Sequence, residues 1–174
     1  MDNKEVYGLI ARYFILILIA FPNLYFFYSL FTPLTVYPLF WILNLLFGAS
    51  LLPDSIIVFK GFSAQIIPAC VAGAAYYLLV VLNLSTPMDL KKRVYSLLFL
   101  VITFLILNLA RLVLFAILLQ SGFQYFDLAH ELVWYFGSTI LLVIVWFANV
   151  YIFKIKEIPV YSDLRNIFKD IKKK

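Results

Sequence analysis

Charged residues are scarce in this chain of 174 residues. Only 13% of them are Asp, Glu, Lys or Arg, whereas 65% are hydrophobic. An ordinary soluble domain is about 25% charged and about 45–50% apolar. A fold of this size has too little interior to hide so much apolar surface from water. The composition therefore argues against a soluble cytosolic enzyme and a disordered chain, and it predicts an integral membrane protein.

The chain also has a single Cys and a single His. One cysteine excludes an internal disulfide bond, and a metal site of the usual Cys/His kind would need more ligands than these two. We therefore expect no metal and no cofactor. The net charge of +5 is interpreted as a signal of membrane topology and lipid contact, and not of nucleic-acid binding.

Four apolar stretches approach the roughly 20 residues that a membrane-crossing helix needs. They cover residues 9–31, 70–84, 94–119 and 130–153. A further apolar segment, 35–52, either crosses the membrane or lies in its outer leaflet; the second alternative is favoured because it keeps both termini inside. The sequence thus predicts an all-α integral membrane protein, a multi-spanning helical bundle of about four to five spans.

Basic residues are distributed unevenly between the ends of these spans. Lys91, Lys92 and Arg93 lie between the second and third spans, and the tail 154–174 holds seven basic residues against three acidic ones. The loop 120–130 has neither Lys nor Arg. Because cytoplasmic loops carry the excess of Lys and Arg, we expect a membrane-embedded helical domain over 1–153 and a basic cytoplasmic tail over 154–174.

A different pattern precedes Cys70. Residues 55–59 and 62–67 are rich in β-branched and aromatic side chains, and Lys60-Gly61 between them is typical of a turn. An open sheet edge cannot face lipid. We therefore expect a short β-hairpin on the outer face, directly before the cysteine.

Arg111 is the clearest ionisable residue inside an apolar span. Asn108 precedes it by three residues, so the two side chains share a helix face. Snorkelling of Arg111 to the outer interface is the alternative to a buried role. The span continues for roughly 12 Å beyond Arg111, which is a long reach, and a role in a pocket is therefore favoured.

Cys70 and His130 are each predicted at the outer end of a span. A thiol at a helix N-terminus is favoured as the thiolate, although most lone cysteines are small buried hydrophobes. His130 could equally be a helix-start residue satisfied by water or headgroups. Together with Arg111 they would supply a nucleophile, a proton acceptor and a cation for an oxyanion on one side of the membrane. This pattern favours acyl transfer.

At these residues the chain resembles the exosortase/archaeosortase family of membrane transpeptidases, most of all its compact archaeosortase-type members. The order and spacing of three elements carry the resemblance, which extends over about residues 33–153. These elements are the segment from Pro68 to Gly73 around Cys70, then Asn108-Leu-Ala-Arg111, then His130 seven residues before Gly137. One departure is that Val71 and Ala72 separate Cys70 from Gly73, where the family often has Cys-Ser/Thr-Gly.

The resemblance implies a cysteine protease or transpeptidase that sorts secreted proteins. Its substrates would carry a C-terminal signal made of a short motif, a transmembrane helix and a basic cluster, and a membrane lipid is one candidate acceptor. Cys70 would be the nucleophile, His130 the general acid/base, Arg111 the stabiliser of the oxyanion or the substrate carboxyl group, and Asn108 a supporting neighbour. The enzyme would lie in the cell membrane with its active site on the extracytoplasmic face. A non-catalytic scaffold and a small transporter subunit are the alternatives.

Overall fold

The computed structural model describes residues 24–155, together with residues 14, 17 and 18. The described residues are 76% helical, and they contain one small sheet. We number the elements in chain order: α1 Tyr25–Phe47, β1 Ser50–Leu52, β2 Ile56–Phe59, β3 Phe62–Gln65, α2 Pro68–Val71, α3 Gly73–Leu84, α4 Leu90–Gln120 and α5 Phe126–Ile152. The predicted tail 154–174 lies almost wholly outside the described residues.

Helix α1 corrects the expected boundary between the first two apolar segments. Residues 25–47 form one helix of 23 residues that contains both Pro33 and Pro38, so the separate helix predicted over 35–52 is wrong. The helix ends where Gly48 adopts the left-handed conformation (φ 66°) and donates its N–H to Asn44. Most of the predicted span 9–31 lies outside the described residues.

The predicted hairpin is confirmed and gains a third strand. Strands β2 and β3 pair antiparallel, and β1 pairs antiparallel with the other edge of β2. Lys60 and Gly61 both have positive φ, 48° and 83°, which is the backbone of a tight two-residue turn. The buried ring of Phe59 stacks on Phe47, with ring centroids 5.7 Å apart, and this contact seats the sheet on the end of α1.

Cys70 was predicted at the start of the second long helix, but it lies in a separate helical turn before that helix. It lies in α2, a single helical turn that stops where Ala72 takes a left-handed conformation (φ 58°, ψ 39°). Helix α3 starts afresh at Gly73. A Cβ atom on Gly73 would lie 2.7 Å from the ring of Tyr28, so the glycine permits close packing of α3 against α1.

Stacked aromatic rings join three of the helices. Tyr76 of α3 stacks on Phe31 of α1, with ring centroids 3.6 Å apart, and meets Phe104 of α4 edge-on at 4.8 Å. Tyr76 and Phe104 are completely buried. The bundle core therefore lies where α1, α3 and α4 meet.

Three of the described helices are long and apolar enough to cross a membrane. They are α1, α4 and α5, the last through its 18-residue run Tyr135–Ile152, while Pro68–Leu84 is apolar but shorter. Much of their apolar surface is exposed, for example Leu45 at 88% and Phe147 at 67%. These helices indicate a membrane protein, because lipid can cover such a surface and water cannot do so without cost.

A buried polar cluster ties the helices at the end of the bundle where α4 begins. Asn83 of α3 donates to Ser96 of α4, which donates to Asn149 of α5, over 2.8 and 2.9 Å. Arg93 caps α3 by donating to the carbonyl groups of Asn83, Leu84 and Thr86. Polar pairs of this kind hold helices together in lipid.

Candidate functional site

A small cavity lies at the end of the bundle opposite residues 91–93. Its volume is about 30 Å³, enough for one or two water molecules. The turn α2 and helices α4 and α5 all contribute to its wall. The lining residues are Ala69, Cys70, Arg111, Leu112, Phe115, His130 and Val133.

The structure thus brings three of the four predicted site residues around one space. Cys70 comes from α2, Arg111 from α4 and His130 from α5. Asn108 is the fourth; it is fully buried one turn before Arg111 and contacts the backbone of Cys70. The four residues therefore form one neighbourhood, although 60 positions separate Cys70 from His130.

The carbonyl oxygen of Cys70 is held by two side chains of α4. Asn108 Nδ2 donates to it over 2.9 Å, and Arg111 Nη2 donates over 3.4 Å. Residues three apart on a helix share a face, which is why both side chains reach the same acceptor. Helix α4 therefore fixes the backbone of the turn that presents the thiol.

The guanidinium of Arg111 points into the bundle, towards α2 and α5. Its Nη1 donates to Ser138 Oγ of α5 over 2.9 Å, while Nη2 reaches Cys70 on α2. A Cβ atom on Gly137 would lie 3.5 Å from Nη1, which is an ordinary contact distance, so the guanidinium packs beside this glycine of α5. Arg111 thus joins three elements at the cavity instead of snorkelling.

The imidazole of His130 lies between two phenylalanine rings. Phe126, one helical turn earlier, stacks on it with centroids 5.6 Å apart and planes 7° apart. Phe115 of α4 meets it edge-on at 5.3 Å. Helix α5 begins at Phe126, so His130 lies in the second turn and not at the predicted helix start. The two rings restrict the rotation of the imidazole.

The backbone of the Cys70 turn offers few free donors to a ligand. The amides of Val71 and Ala72 already donate to the carbonyl groups of Ile67 and Pro68, and proline has no N–H. The amide of Ala69 stands in the first turn, where no intrahelical acceptor exists. Side chains, above all Arg111, are therefore the main cationic and donor groups facing the cavity.

A second cavity of about 120 Å³ lies beside the first. Both share Cys70, Leu112, Phe115 and His130 in their walls. The rest of its lining is mostly apolar and comes from the sheet and from α1, α4 and α5: Leu39, Leu43, Ile57, Phe59, Ala64, Gln65, Ile66, Ala116, Leu119 and Phe126. The two spaces together give the thiol and the imidazole an apolar approach from the side of the sheet.

Sequence reasoning missed Ser138 and Phe126. Ser138 follows Gly137 and lies eight residues after His130, a spacing that returns to about the same face of a helix. A small hydroxyl residue in an apolar span was therefore a usable signal for the partner of Arg111. No comparable signal singles out Phe126 among the 18 phenylalanines of the chain.

Among the described residues, no three His, Cys, Asp or Glu side chains come together in a way that could hold a metal ion. The chemistry available at the cavity is that of a thiol, an imidazole and a guanidinium. Comparison with family models, curated proteins and solved structures finds no match to this chain.

Proposed function

We propose that this chain is a membrane-embedded cysteine transpeptidase of the exosortase/archaeosortase type, which cleaves C-terminal sorting signals of secreted proteins. The single observation that carries the proposal is the meeting of Cys70, His130 and Arg111 around one cavity. Cys70 and His130 are the only Cys and the only His of the chain, and Arg111 is half-buried among apolar helices. Nucleophilic acyl transfer uses a nucleophile, a proton acceptor and a group that stabilises the oxyanion, and these three side chains can fill those roles.

The reaction proceeds through a thioester. His130 accepts the proton of the Cys70 thiol, and the thiolate attacks the carbonyl carbon of the scissile peptide bond. A C–S bond forms, the C–N bond breaks, and His130 returns the proton to the leaving amine. A nucleophile on the acceptor, which is an amine, a hydroxyl group or water, then loses its proton to His130 and attacks the carbonyl carbon of the thioester. The C–S bond breaks, and His130 returns the proton to the sulfur, which restores the Cys70 thiol.

Arg111 and Asn108 support the attack in different ways. The guanidinium cation of Arg111 faces the cavity, which is a low-dielectric site, and it stabilises the oxyanion of the tetrahedral intermediate there. Asn108 is a positioning residue, since its contact is to the Cys70 carbonyl and not to the cavity. Arg111 shares that positioning role through Nη2.

The membrane topology belongs to the same proposal. Helix α1, the segment Pro68–Leu84, α4 and α5 cross the membrane in alternating directions, so that four spans lie in the described region. Residues 91–93 and the tail are cytoplasmic by the distribution of Lys and Arg. The sheet and the cavity then lie on the extracytoplasmic face, where the signals of secreted proteins arrive.

The test uses a secreted reporter from the same genome whose C-terminus carries a short motif, a transmembrane helix and a basic cluster. Co-expressed with the wild-type chain, this reporter should lose its C-terminal helix. Cys70→Ala and Cys70→Ser should leave it full length at equal expression, because a serine hydroxyl ionises far less than a thiol. Thr139→Ala, which removes an exposed hydroxyl near the site, is the matched control.

Mass spectrometry of the reporter's new C-terminus separates transfer to an acceptor from hydrolysis. A hydroxylamine-sensitive adduct between reporter and wild-type chain would identify the thioester. Normal processing by Cys70→Ala would overturn the assignment of the nucleophile.

One observation also fits the scaffold alternative. The Asn83–Ser96–Asn149 cluster binds three helices together without any reactive group, as a non-catalytic assembly subunit would require. A scaffold predicts that Cys70→Ala is silent in every assay, so the same experiment separates the two functions.

A further inference from the structure

The hydrogen-bonding direction of β3 follows from a single backbone contact. The N–H of Ile66 donates to the carbonyl of Ser55 over 3.0 Å, so 55 and 66 form a hydrogen-bonded pair. Such pairs alternate along an antiparallel ladder. With the register Ile57↔Ala64 and Phe59↔Phe62, the even-numbered residues of β3 point their backbone groups towards β2.

Ser63 and Gln65 therefore point their N–H and C=O groups away from the sheet. β3 is an edge strand, since the strand order is β1-β2-β3, and both residues are exposed. Among the described residues, no further strand pairs with this edge. A row of unpaired backbone donors and acceptors of this kind is a template for an added strand.

This edge leads directly to the thiol. After Gln65 only Ile66 and Ile67 precede the α2 turn that carries Cys70. At about 3.3 Å per residue, Gln65 lies three residues, or roughly 10 Å, before Pro68, the first residue of that turn. The 120 Å³ cavity follows the same path, since Ala64, Gln65 and Ile66 line it together with Cys70 and His130.

We propose that an extended segment of the substrate polypeptide pairs with the outward edge of β3 as a fourth strand, and that this pairing brings its scissile bond to Cys70. Main-chain hydrogen bonds to Ser63 and Gln65 hold the segment, and alternate side chains enter the apolar cavity. The other free edge, on β1, does not lead into the Cys70 turn. The inference rests on the proposed function, because it assigns the substrate a place at the same site.

The first test places proline on the outward edge. Gln65→Pro and Ser63→Pro remove an outward N–H and fill its place with a ring, and such positions on edge strands tolerate proline. We expect each to lower kcat/KM for the reporter by roughly tenfold relative to alanine at the same position, mainly through KM, because one or two main-chain hydrogen bonds to the substrate are lost. Equal losses for proline and alanine would overturn the inference.

The second test leaves the protein unchanged. Synthetic peptides spanning the reporter's cleavage site carry one N-methyl group at each backbone amide in turn, and cleavage is followed in detergent. Strand pairing predicts losses at every second residue, because alternate amides of an added strand face β3. Losses that track side-chain identity, or that show no period of two, would contradict the inference even if a proline variant failed to fold.

The two proposals fail separately. If Cys70→Ala still processes the reporter, the proposed function is wrong. If Cys70→Ala is inactive while the proline variants match their alanine counterparts and the N-methyl scan shows no alternation, the chemistry stands and only the β3 docking surface is wrong. Melting of each variant in detergent identifies those that have lost the fold.

Discussion

The amide of Asn108 donates to the main-chain carbonyl of Cys70 across 2.9 Å, from one element to another 38 positions away. This bond, with that of Arg111 Nη2, means that the position of the thiol is set by α4 and not by the helix that follows it. Ala72 in its left-handed conformation separates the two helical segments. The hydrogen bonds to the Cys70 backbone therefore position its thiol.

Asn108→Leu should lower both stability and activity. Leucine has about the same size but cannot donate, so the buried Cys70 carbonyl loses its shorter hydrogen bond. Side-chain hydrogen bonds between membrane helices contribute about 0.6 kcal/mol on average and up to about 1.7 kcal/mol. We expect a loss in that range, measured by unfolding in detergent, and a fall in reporter cleavage beyond what the lower stability explains.

Asn149→Leu is the matched control for that variant. It removes an equally buried asparagine from the opposite end of the bundle, where the side chain accepts from Ser96. Its stability should fall by a similar amount while kcat per folded molecule stays at the wild-type value. Equal losses of kcat in the two variants would show that Asn108 acts only on global stability.

Arg111→Lys should not behave as a conservative change. The planar guanidinium reaches Ser138 on one helix and Cys70 on another through different nitrogens, and one ammonium cannot reproduce that fork. We expect at least roughly a tenfold loss of kcat, equivalent to about 1.4 kcal/mol of transition-state stabilisation. Wild-type turnover would mean that Arg111 is only a general counter-charge.

Ser138→Ala separates the position of Arg111 from its charge. The guanidinium loses its 2.9 Å acceptor but keeps its charge and its contact with Cys70. We expect a smaller fall in kcat than for Arg111→Lys, while Thr139→Ala, which removes the neighbouring exposed hydroxyl, should have no effect. An unchanged rate in the Ser138→Ala variant would mean that the contact with Cys70 alone is enough to orient the guanidinium of Arg111.

Gly73→Ala should push α3 away from α1. The added Cβ would lie 2.7 Å from the Tyr28 ring, and overpacking of this kind costs about 1–3 kcal/mol. Tyr28→Ala removes the obstructing ring, so the double variant should recover most of the stability that Gly73→Ala loses relative to the Tyr28→Ala background. A cycle of the four proteins, unfolded in detergent, measures this coupling; additive losses would contradict it.

Phe126→Ala should free the imidazole of His130. Removal of the stacked ring lets the imidazole adopt other rotamers, and misplacement of a catalytic base costs rate more than binding. We expect roughly a tenfold lower kcat with little change in KM. Phe123→Ala is the control, because it removes a nearby phenylalanine whose ring packs edge-on against Tyr125. Equal kcat values for the two variants would argue against the view that the Phe126 ring restrains the imidazole of His130.

Labelling of single cysteines should report the proposed sidedness. In a Cys70→Ala background, Lys60→Cys in the β2–β3 turn and Lys91→Cys at the start of α4 are both exposed in the fold. A membrane-impermeant maleimide added to intact cells should modify the first, and it should modify the second only after the membrane is opened. The reverse pattern would invert the topology.

The features that composition and spacing determine were predictable. The long apolar helices follow from hydropathy, and the hairpin follows from β-branched residues around Lys60-Gly61. The continuity of α1 was not predictable, because Pro33 suggested a boundary between two apolar segments. The helix nevertheless continues past both Pro33 and Pro38, since each proline removes only one backbone donor. The break before Gly73 was also hidden, since the left-handed residue is Ala72 and not a glycine.

The order of the site residues along the chain predicted that they would share one end of the bundle. It could not predict which atoms meet. That Asn108 and Arg111 contact a carbonyl of the Cys70 turn depends on the break at Ala72, which directs this turn towards α4. The neighbours of His130 depend likewise on how α4 and α5 are rotated about their axes, which hydropathy does not specify.

Helix α4 is held by hydrogen bonds at two separate levels along its length. Ser96 belongs to the Asn83–Ser96–Asn149 cluster near its start, and Asn108 holds the Cys70 turn about 18 Å further along at about 1.5 Å per residue. A slide of α4 by one turn would break both sets of bonds together, whereas a tilt of the whole bundle breaks neither. The protein should therefore adapt to bilayers of different thickness by leaning as a unit. The distance between the thiol and the imidazole would then be independent of the lipid around them.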